Sequence, residues 1–498
     1  MRSLSPDIFL TFIQLDRSRN IPMYVQLYIQ IRDSIFEGML KHGDRMPSTR
    51  NLSEGLSVSR NCVLLAFEQL ALEGFLTAKV GAGTFVCEQL NDLRPNKKVL
   101  KDIPPLPDVL KAPVSALQRE LPFYTSFVST HSGQEATLPF QPSVPSFIDF
   151  PFKLWAKIAA AVYKNINHLH LGYDSAQGFL PLRTALTNYL RVNRSINCSP
   201  EQIVIVNGSS QALNLISELL LKKGDLCWME DPGYLWAKSA FSRFSGNICP
   251  IPITASGIDL DYAIQNFPKA KLAYITPSHQ YPLGETMPLS NRLKLLKFAS
   301  CQDMWVIEDD YESEFRYVGR PIPALKGLDT FGKVIYIGTF NKTLFPALRI
   351  GYMVLPSVEM AGQITIIKAM TDRQSPVIDQ SILTNFITEG HFLRHLRRMK
   401  LIYKKTQEEL IHLLLKHFGD DIRISAENAG MHIIVWFLTD TIAHDITHKA
   451  KERGIMLYAV DELAIKFKYR TAFIIGFTGF KRSMMEPSVI ALKNMIRE

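Results

Sequence analysis

The stretch GTFNKTLFPALRIGY, Gly338 to Tyr352, places Lys342 in a run that otherwise reads as buried. Taking an ammonium out of water is costly, so a lysine at such a position needs a reason. It is either a lysine at a turn whose stem snorkels to the surface, or an amine of lowered pKa that condenses with a carbonyl cofactor to form a Schiff base. The second reading requires an anchor for a phosphate, a carboxylate for a ring nitrogen, and an aromatic side chain to stack on the ring.

Candidates for each occur elsewhere in the chain. In VNGSSQAL a strand ends at Gly208, and Ser209, Ser210 and Gln211 open a helix whose free N–H groups can hold a phosphate. Thr339 and Arg349, on either side of Lys342, add a hydroxyl and a fixed positive charge. VIEDDYESEF carries Asp309 and Tyr311 two apart at a strand end, so their side chains project to one side. A carboxylate there would keep a pyridine nitrogen protonated, and the phenol would bond a ring hydroxyl. EDPGY delivers Tyr234 as a stacker, and TPSHQYPLG offers His279 and Gln280 to a ring oxygen. Each segment alone is ordinary: Gly-Ser turns open many helices, and acidic strand ends are commonly solvated. Five of them at the carboxyl ends of predicted strands, where open α/β sheets bind ligands, are poorly explained by chance.

The elements that must position these residues follow from periodicity. QIVIVNGSS, CWMED, LAYIT, MWVIEDD, VIYIGTF and IGYMVLP are short apolar runs separated by stretches long enough for crossovers. They predict a mostly parallel sheet buried on both faces by helices, an α/β fold beginning at about residue 135. The last hundred or so residues, from about 385 to 498, carry the basic helix GHFLRHLRRMKLIYKKTQEEL and further short strands, hence a smaller α/β lobe. Such a charge run is usually a solvated helix face.

Residues 20–87 form a separate pattern. Tyr24, Leu27, Ile31 and Ile35 are helically spaced; Ser48 and Ser59 are placed to cap two further helices; FLTAKVGAGTFVC reads as two strands around a glycine turn. Three helices and a hairpin in this order describe a winged helix-turn-helix. Arg50 stands at the start of its second helix and Ser59, Arg60 and Asn61 at the start of the third, where recognition helices meet DNA. Lys79, Gly81 and Gly83 lie in the wing, where glycine allows close approach to a backbone. Residues 88–134, rich in Pro, Lys and Asp, read as a linker.

The totals agree. The 498 residues allow several domains, and 47% hydrophobic content indicates a globular chain. A net charge of +9 permits nucleic-acid binding. No apolar run approaches a membrane span, so no membrane partner is expected. Six scattered cysteines show no metal-like spacing; they read as reduced in a cytoplasmic protein, and no metal site is predicted.

With MPSTRNL, VSRNCV and GAGTFV, residues 20–87 resemble a GntR-type DNA-binding domain. With TPSHQYPLG, EDDYESEFRY and GTFNKTLFPALRIGYMVLP, residues 135–498 resemble a fold-type-I pyridoxal-phosphate aminotransferase. In this order the two resemble the MocR subfamily of bacterial transcription regulators. The resemblance implies pyridoxal 5'-phosphate as cofactor, with Lys342 as its Schiff-base lysine, Asp309 as ring-nitrogen partner and Tyr311 as ring-hydroxyl partner. Ser209, Ser210, Gln211, Thr339 and Arg349 would surround the phosphate, and Tyr234 would stack on the ring. It further implies a homodimer, double-stranded DNA with two half-sites as partner, and an effector that is an amine, an amino acid or the cofactor itself. A catalytic aminotransferase with an autoregulatory DNA-binding domain is the alternative, since the residues for transamination are present. Leu235 and Trp236 stand just past Tyr234, where an arginine for a carboxylate would be sought, which speaks against γ-aminobutyrate as effector.

Overall fold

The computed structural model of the chain describes residues 9, 13–17, 21–79, 81–87, 138–167, 171–244, 246–319, 322–425, 428–438 and 446–497. It divides into two compact units, Met1–Leu121 and Pro122–Glu498. The expected linker, 88–134, lies outside the described residues.

In the first unit, helices α1 (Met23–Phe36), α2 (Thr49–Gly55) and α3 (Arg60–Leu72) precede strands β1 (Leu76–Lys79) and β2 (Gly83–Val86). Leu27, Ile31 and Ile35 of α1 pack in one core with Leu52, Val63, Phe67 and Leu70. Tyr24, expected on that stripe, is 39% exposed, because it stands in the first turn of α1. Ser48 and Ser59 each accept a hydrogen bond from the backbone three residues on, at Asn51 and Cys62, which fixes where α2 and α3 begin. β1 and β2 pair antiparallel from Leu76↔Val86 to Lys79↔Gly83. Gly81 (φ 74°) and Gly83 (φ 111°) supply the left-handed backbone of the turn.

The second unit is built on an eight-stranded sheet. Its strands are β3 (Ile203–Val206), β4 (Leu226–Asp231), β5 (Asn247–Thr254), β6 (Gly257–Ile258), β7 (Leu272–Ile275), β8 (Trp305–Asp310), β9 (Val334–Thr339) and β10 (Gly351–Val354). Their spatial order is β3-β10-β9-β8-β7-β4-β5-β6. The five strands β5, β4, β7, β8 and β9 pair in parallel, whereas β10 is antiparallel to both β9 and β3. Side chains alternate between two apolar layers. Val204, Val206, Ile335 and Ile337 enter one core, and Ile203, Ile205 and Tyr336 enter the other.

Helix α4 (Ser209–Leu220) follows β3 directly. The 28-residue helix α5 (His391–Phe418) leads into the small lobe, whose strands are β11 (Ile422–Ser425), β12 (His432–Phe437), β13 (Tyr458–Ala459) and β14 (Ala472–Gly476). These form a second sheet in the order β11-β12-β14-β13. The basic run of α5 is a solvated face: Arg394, Arg397 and Arg398 are exposed, while Phe392, Leu396, Met399 and Tyr403 are buried. Among the described residues no helix is long and apolar enough to cross a membrane.

Candidate functional site

A cavity of about 240 Å³ opens in the second unit where the parallel strands end. Eight of the residues singled out from sequence line it: Ser209, Ser210, Tyr234, Asp309, Tyr311, Thr339, Lys342 and Arg349. They come from four different strand ends and meet because parallel strands present their carboxyl ends on one edge.

Strand alternation explains why one of three consecutive acids faces the cavity. Glu308 and Asp310 point away, Glu308 accepting from the Leu325 and Lys326 amides and Asp310 pairing with Arg194 at 2.6 Å. Asp309 points in. One of its oxygens accepts a 2.8 Å hydrogen bond from Tyr274, and the other, buried, has no partner. Burial raises its pKa to about 7, against the opposing pulls of the Tyr274 hydroxyl and Lys342.

Lys342 is half-buried, and its amine donates to the Ser143 carbonyl at 3.0 Å. Desolvation lowers its pKa, while Glu312 and Asp309 pull it back up. Tyr311 donates its hydroxyl to the His279 carbonyl at 3.1 Å. The Tyr234 phenol is raised by burial and hydrogen-bonded toward Ser210 and Ser209. Its ring meets Tyr281 edge-on at 6.2 Å.

At the opposite end, α4 begins at Gly208 (φ 99°) with no side-chain cap, so its first N–H groups are available to an anion. A Cβ at Gly208 would come within 3.2 Å of Arg349 and 3.3 Å of Asn341. Arg349 itself adopts a left-handed backbone (φ 52°) and donates to the Asn207 carbonyl at 2.6 Å.

Three expected residues are placed elsewhere. Gln211 is engaged sideways, accepting from the Asn207 amide and donating to Asp372 at 2.6 Å. Gln280 donates to the Pro232 and Tyr281 carbonyls and accepts from the Leu283 amide, so it organises its own loop and does not line the cavity. His279 turns toward Glu312 at 3.3 Å. Trp236, noted in the sequence as standing where an arginine would be sought, does line the cavity; sequence reading missed Tyr274, Tyr281, Asn341, Tyr458, Leu463 and Ile474, which line it too. Tyr274 stands opposite Ile307 of β8 and reaches Asp309, two residues further on, through strand pairing that no local motif announces.

The donor set suits pyridoxal phosphate: a glycine-floored, uncapped helix start beside Arg349, an unpartnered carboxylate oxygen, and a lysine of depressed pKa. The chain matches the family of bacterial regulatory proteins of gntR type over residues 23–86 and aminotransferase class I and II over residues 149–464. It is 34% identical to the "Probable rhizopine catabolism regulatory protein MocR" of Rhizobium meliloti, over 96% of this chain and 95% of that one. It is 28% identical to the pyridoxine biosynthesis transcriptional regulator PdxR of Corynebacterium glutamicum, over 82% of each. The chain belongs to the MocR-type transcription regulators. As such it is a DNA-binding regulator with an aminotransferase-like domain, and its cofactor is pyridoxal phosphate. Among solved structures, a Pyrococcus horikoshii kynurenine aminotransferase in complex with PMP superposes with a TM-score of 0.68 at 25% identity, covering 80% of this chain and 98% of that one.

The residues expected from sequence to meet DNA fall on the first unit of this MocR-type chain. Arg50, Arg60 and Asn61 are exposed at the starts of α2 and α3. Arg50 pairs with Glu54 at 3.2 Å, and Arg60 lies 3.4 Å from the Thr49 hydroxyl. The Ser59 hydroxyl is occupied as a helix cap. Lys79 lies over the Phe85 ring, 5.4 Å from its centroid. Arg45, not anticipated, is exposed and drapes its guanidinium over Gly83 in the wing.

Proposed function

We propose that this regulator is a homodimer whose aminotransferase-like domain reads a small amine, and that occupancy there sets the affinity of the winged helix for an operator with two half-sites. When bound, pyridoxal phosphate supplies a carbonyl that condenses with primary amines. Ser209, Ser210, Thr339 and Arg349 would hold its phosphate, and the free oxygen of Asp309 would accept the ring N–H. Tyr311 would bond the ring hydroxyl, Tyr234 would cover the ring, and the amine of Lys342 would compete with an incoming amine for the carbonyl.

The observation that carries the reading is the charge pattern of the cavity. Among the described residues lining it, Lys342 and Arg349 are the only cations, and Arg349 stands at the helix-start end beside Gly208. The wall from Trp236, Tyr281, Tyr458, Leu463 and Ile474 is aromatic and aliphatic. A free carboxylate has no second cation to meet there, so the favoured effector is an amine whose remainder is neutral. Control of small-molecule metabolism, named for the MocR and PdxR relatives, is in keeping with this.

The test is operator binding at one fixed salt concentration by wild type and Lys342→Ala, with pyridoxal phosphate and a panel of amines with and without a carboxylate. A neutral amine is expected to change wild-type affinity by about ten-fold, a coupling of about 1.4 kcal/mol, and to leave Lys342→Ala unchanged. An equal response in the variant would mean that the effector is read elsewhere.

A further inference from the structure

Next to Tyr311 lies a group of buried side chains for which neither the cofactor nor DNA accounts. Glu312 is 0% exposed, His432 0% and His279 3%. Neither oxygen of Glu312 and neither ring nitrogen of His279 has a hydrogen-bond partner among the described residues. His279 Nε2 is 3.3 Å from Glu312 Oε1, and His432 Nδ1 is 3.7 Å from the same oxygen. The ligand atoms of the three residues all lie within 4.8 Å of one another.

We propose that His279, Glu312 and His432 form a binding site for a divalent transition metal, with zinc the best match, tying the small lobe to the large one. The ring of His432 fixes the polarity. Its Nε2 lies 2.8 Å from the Pro282 carbonyl, which can only accept, so that nitrogen carries the proton and Nδ1 of the neutral ring is a lone pair. That lone pair faces a carboxylate oxygen, and two acceptors confront each other with no donor between them. The separations are too long for good hydrogen bonds. The first, 3.3 Å, matches neighbouring ligands on a shared tetrahedral ion, because bonds of about 2.0–2.2 Å set the ligands about 3.3–3.6 Å apart, and the second, 3.7 Å, lies just beyond that range. The Pro282 carbonyl is the kind of outer partner that orients a metal-bound imidazole. Two imidazoles and one carboxylate are a ligand set that zinc accepts, with the fourth position left to water.

The space is kept by a glycine. Gly430, two residues before His432, has φ +86°, and a Cβ there would lie 2.5 Å from both Glu312 Oε1 and His279 Nε2. Any other residue would collide with both ligand atoms and push Glu312 and His279 apart. The ligands come from the loop after β7, the turn after β8 and the first residue of β12, so no local spacing in the sequence announces them. Because the His279 carbonyl accepts the Tyr311 hydroxyl, the ion would brace the wall of the cofactor cavity from behind.

The experiment uses the full chain with cofactor bound, dialysed against micromolar zinc. Metal content is measured by mass spectrometry, and crystals are examined by anomalous scattering at the zinc edge. Wild type is expected to retain one zinc per chain, with the anomalous peak between the three side chains and a thermal midpoint that rises with zinc. His432→Asn removes a ligand, and Gly430→Ala keeps all three but forces Glu312 and His279 apart. Each is expected to bind zinc at least about ten-fold more weakly. If wild type retains no zinc, the group is an imidazole–carboxylate pair only and the proposal fails. Variants that hold as much zinc as wild type would place the metal elsewhere and overturn it too. Should neither variant fold, the position of the wild-type anomalous peak decides alone.

Discussion

Glu308, Asp309 and Asp310 are chemically similar neighbours with three different surroundings, and the difference has a measurable consequence at Asp309. Its carboxyl, held near a pKa of about 7 by burial, keeps a proton in the folded protein that the unfolded chain gives up near pH 4. Between those values the native state binds more protons than the unfolded one, so stability contributed by this group falls as pH rises. In the cofactor-free protein, the stability of wild type relative to Asp309→Asn should therefore decline between about pH 4 and about pH 7. Bound cofactor, presenting a protonated ring nitrogen to the free oxygen, should abolish that decline. Urea titrations at pH 5 and pH 7.5, with and without cofactor, measure it; a pH-independent difference would rule out a perturbed Asp309. That Asp309 faces the cavity was legible from sequence because alternation along a strand is a local property. The fates of His279 and Gln280 were not, since a loop side chain goes where tertiary partners take it. Glu312 and the backbone carbonyls of Pro232 and Tyr281 are distant in sequence or invisible as motifs.

At the scale of elements, the strands themselves could be read, but their directions could not. A run buried on both faces looks the same parallel or antiparallel, so β10 joined the parallel set in the sequence reading. The segment between Thr339 and Gly351 contains only a short helical turn, Pro346–Leu348, and is too brief for a covering crossover. Antiparallel return of β10 follows, and it is what brings Arg349 back to the start of α4. The winged helix was more legible because its caps are local. Ser59 holds the first turn of α3, and Ser59→Ala should lower the stability of the first unit by about 1 kcal/mol, read from its urea midpoint. Arg60 makes only a long contact within the chain, so Arg60→Ala should leave that midpoint within about 0.5 kcal/mol while weakening operator binding. Loss of stability without loss of DNA affinity in Arg60→Ala would move the recognition surface off α3. Arg45 escaped notice because it lies in the connection between α1 and α2 and reaches the wing only through its packing on Gly83.

For the whole molecule, the question is whether one chain suffices. A winged helix of this size presents one recognition helix, α3, and a single helix reads a few base pairs. Two-fold symmetry doubles the contact and fixes the distance between half-sites, because the two recognition helices must enter successive major grooves or grooves a whole number of turns apart. If the cofactor-bearing domains dimerise, sedimentation at micromolar protein with cofactor bound should show a dimer. Inserting about five base pairs between the half-sites, half a helical turn, should then cost far more affinity than inserting about ten, which restores the face of the duplex. Salt dependence separates the kinds of contact. If Arg60 meets a phosphate, Arg60→Ala should lower the slope of log affinity against log salt by about one per half-site and weaken all sequences alike. If it meets a base edge, the variant should lose about 1–3 kcal/mol at one position and relax specificity there. A monomer on sedimentation, with equal tolerance of both insertions, would mean that each chain reads its site alone. The effector signal would then have to pass within one polypeptide, not across a subunit interface.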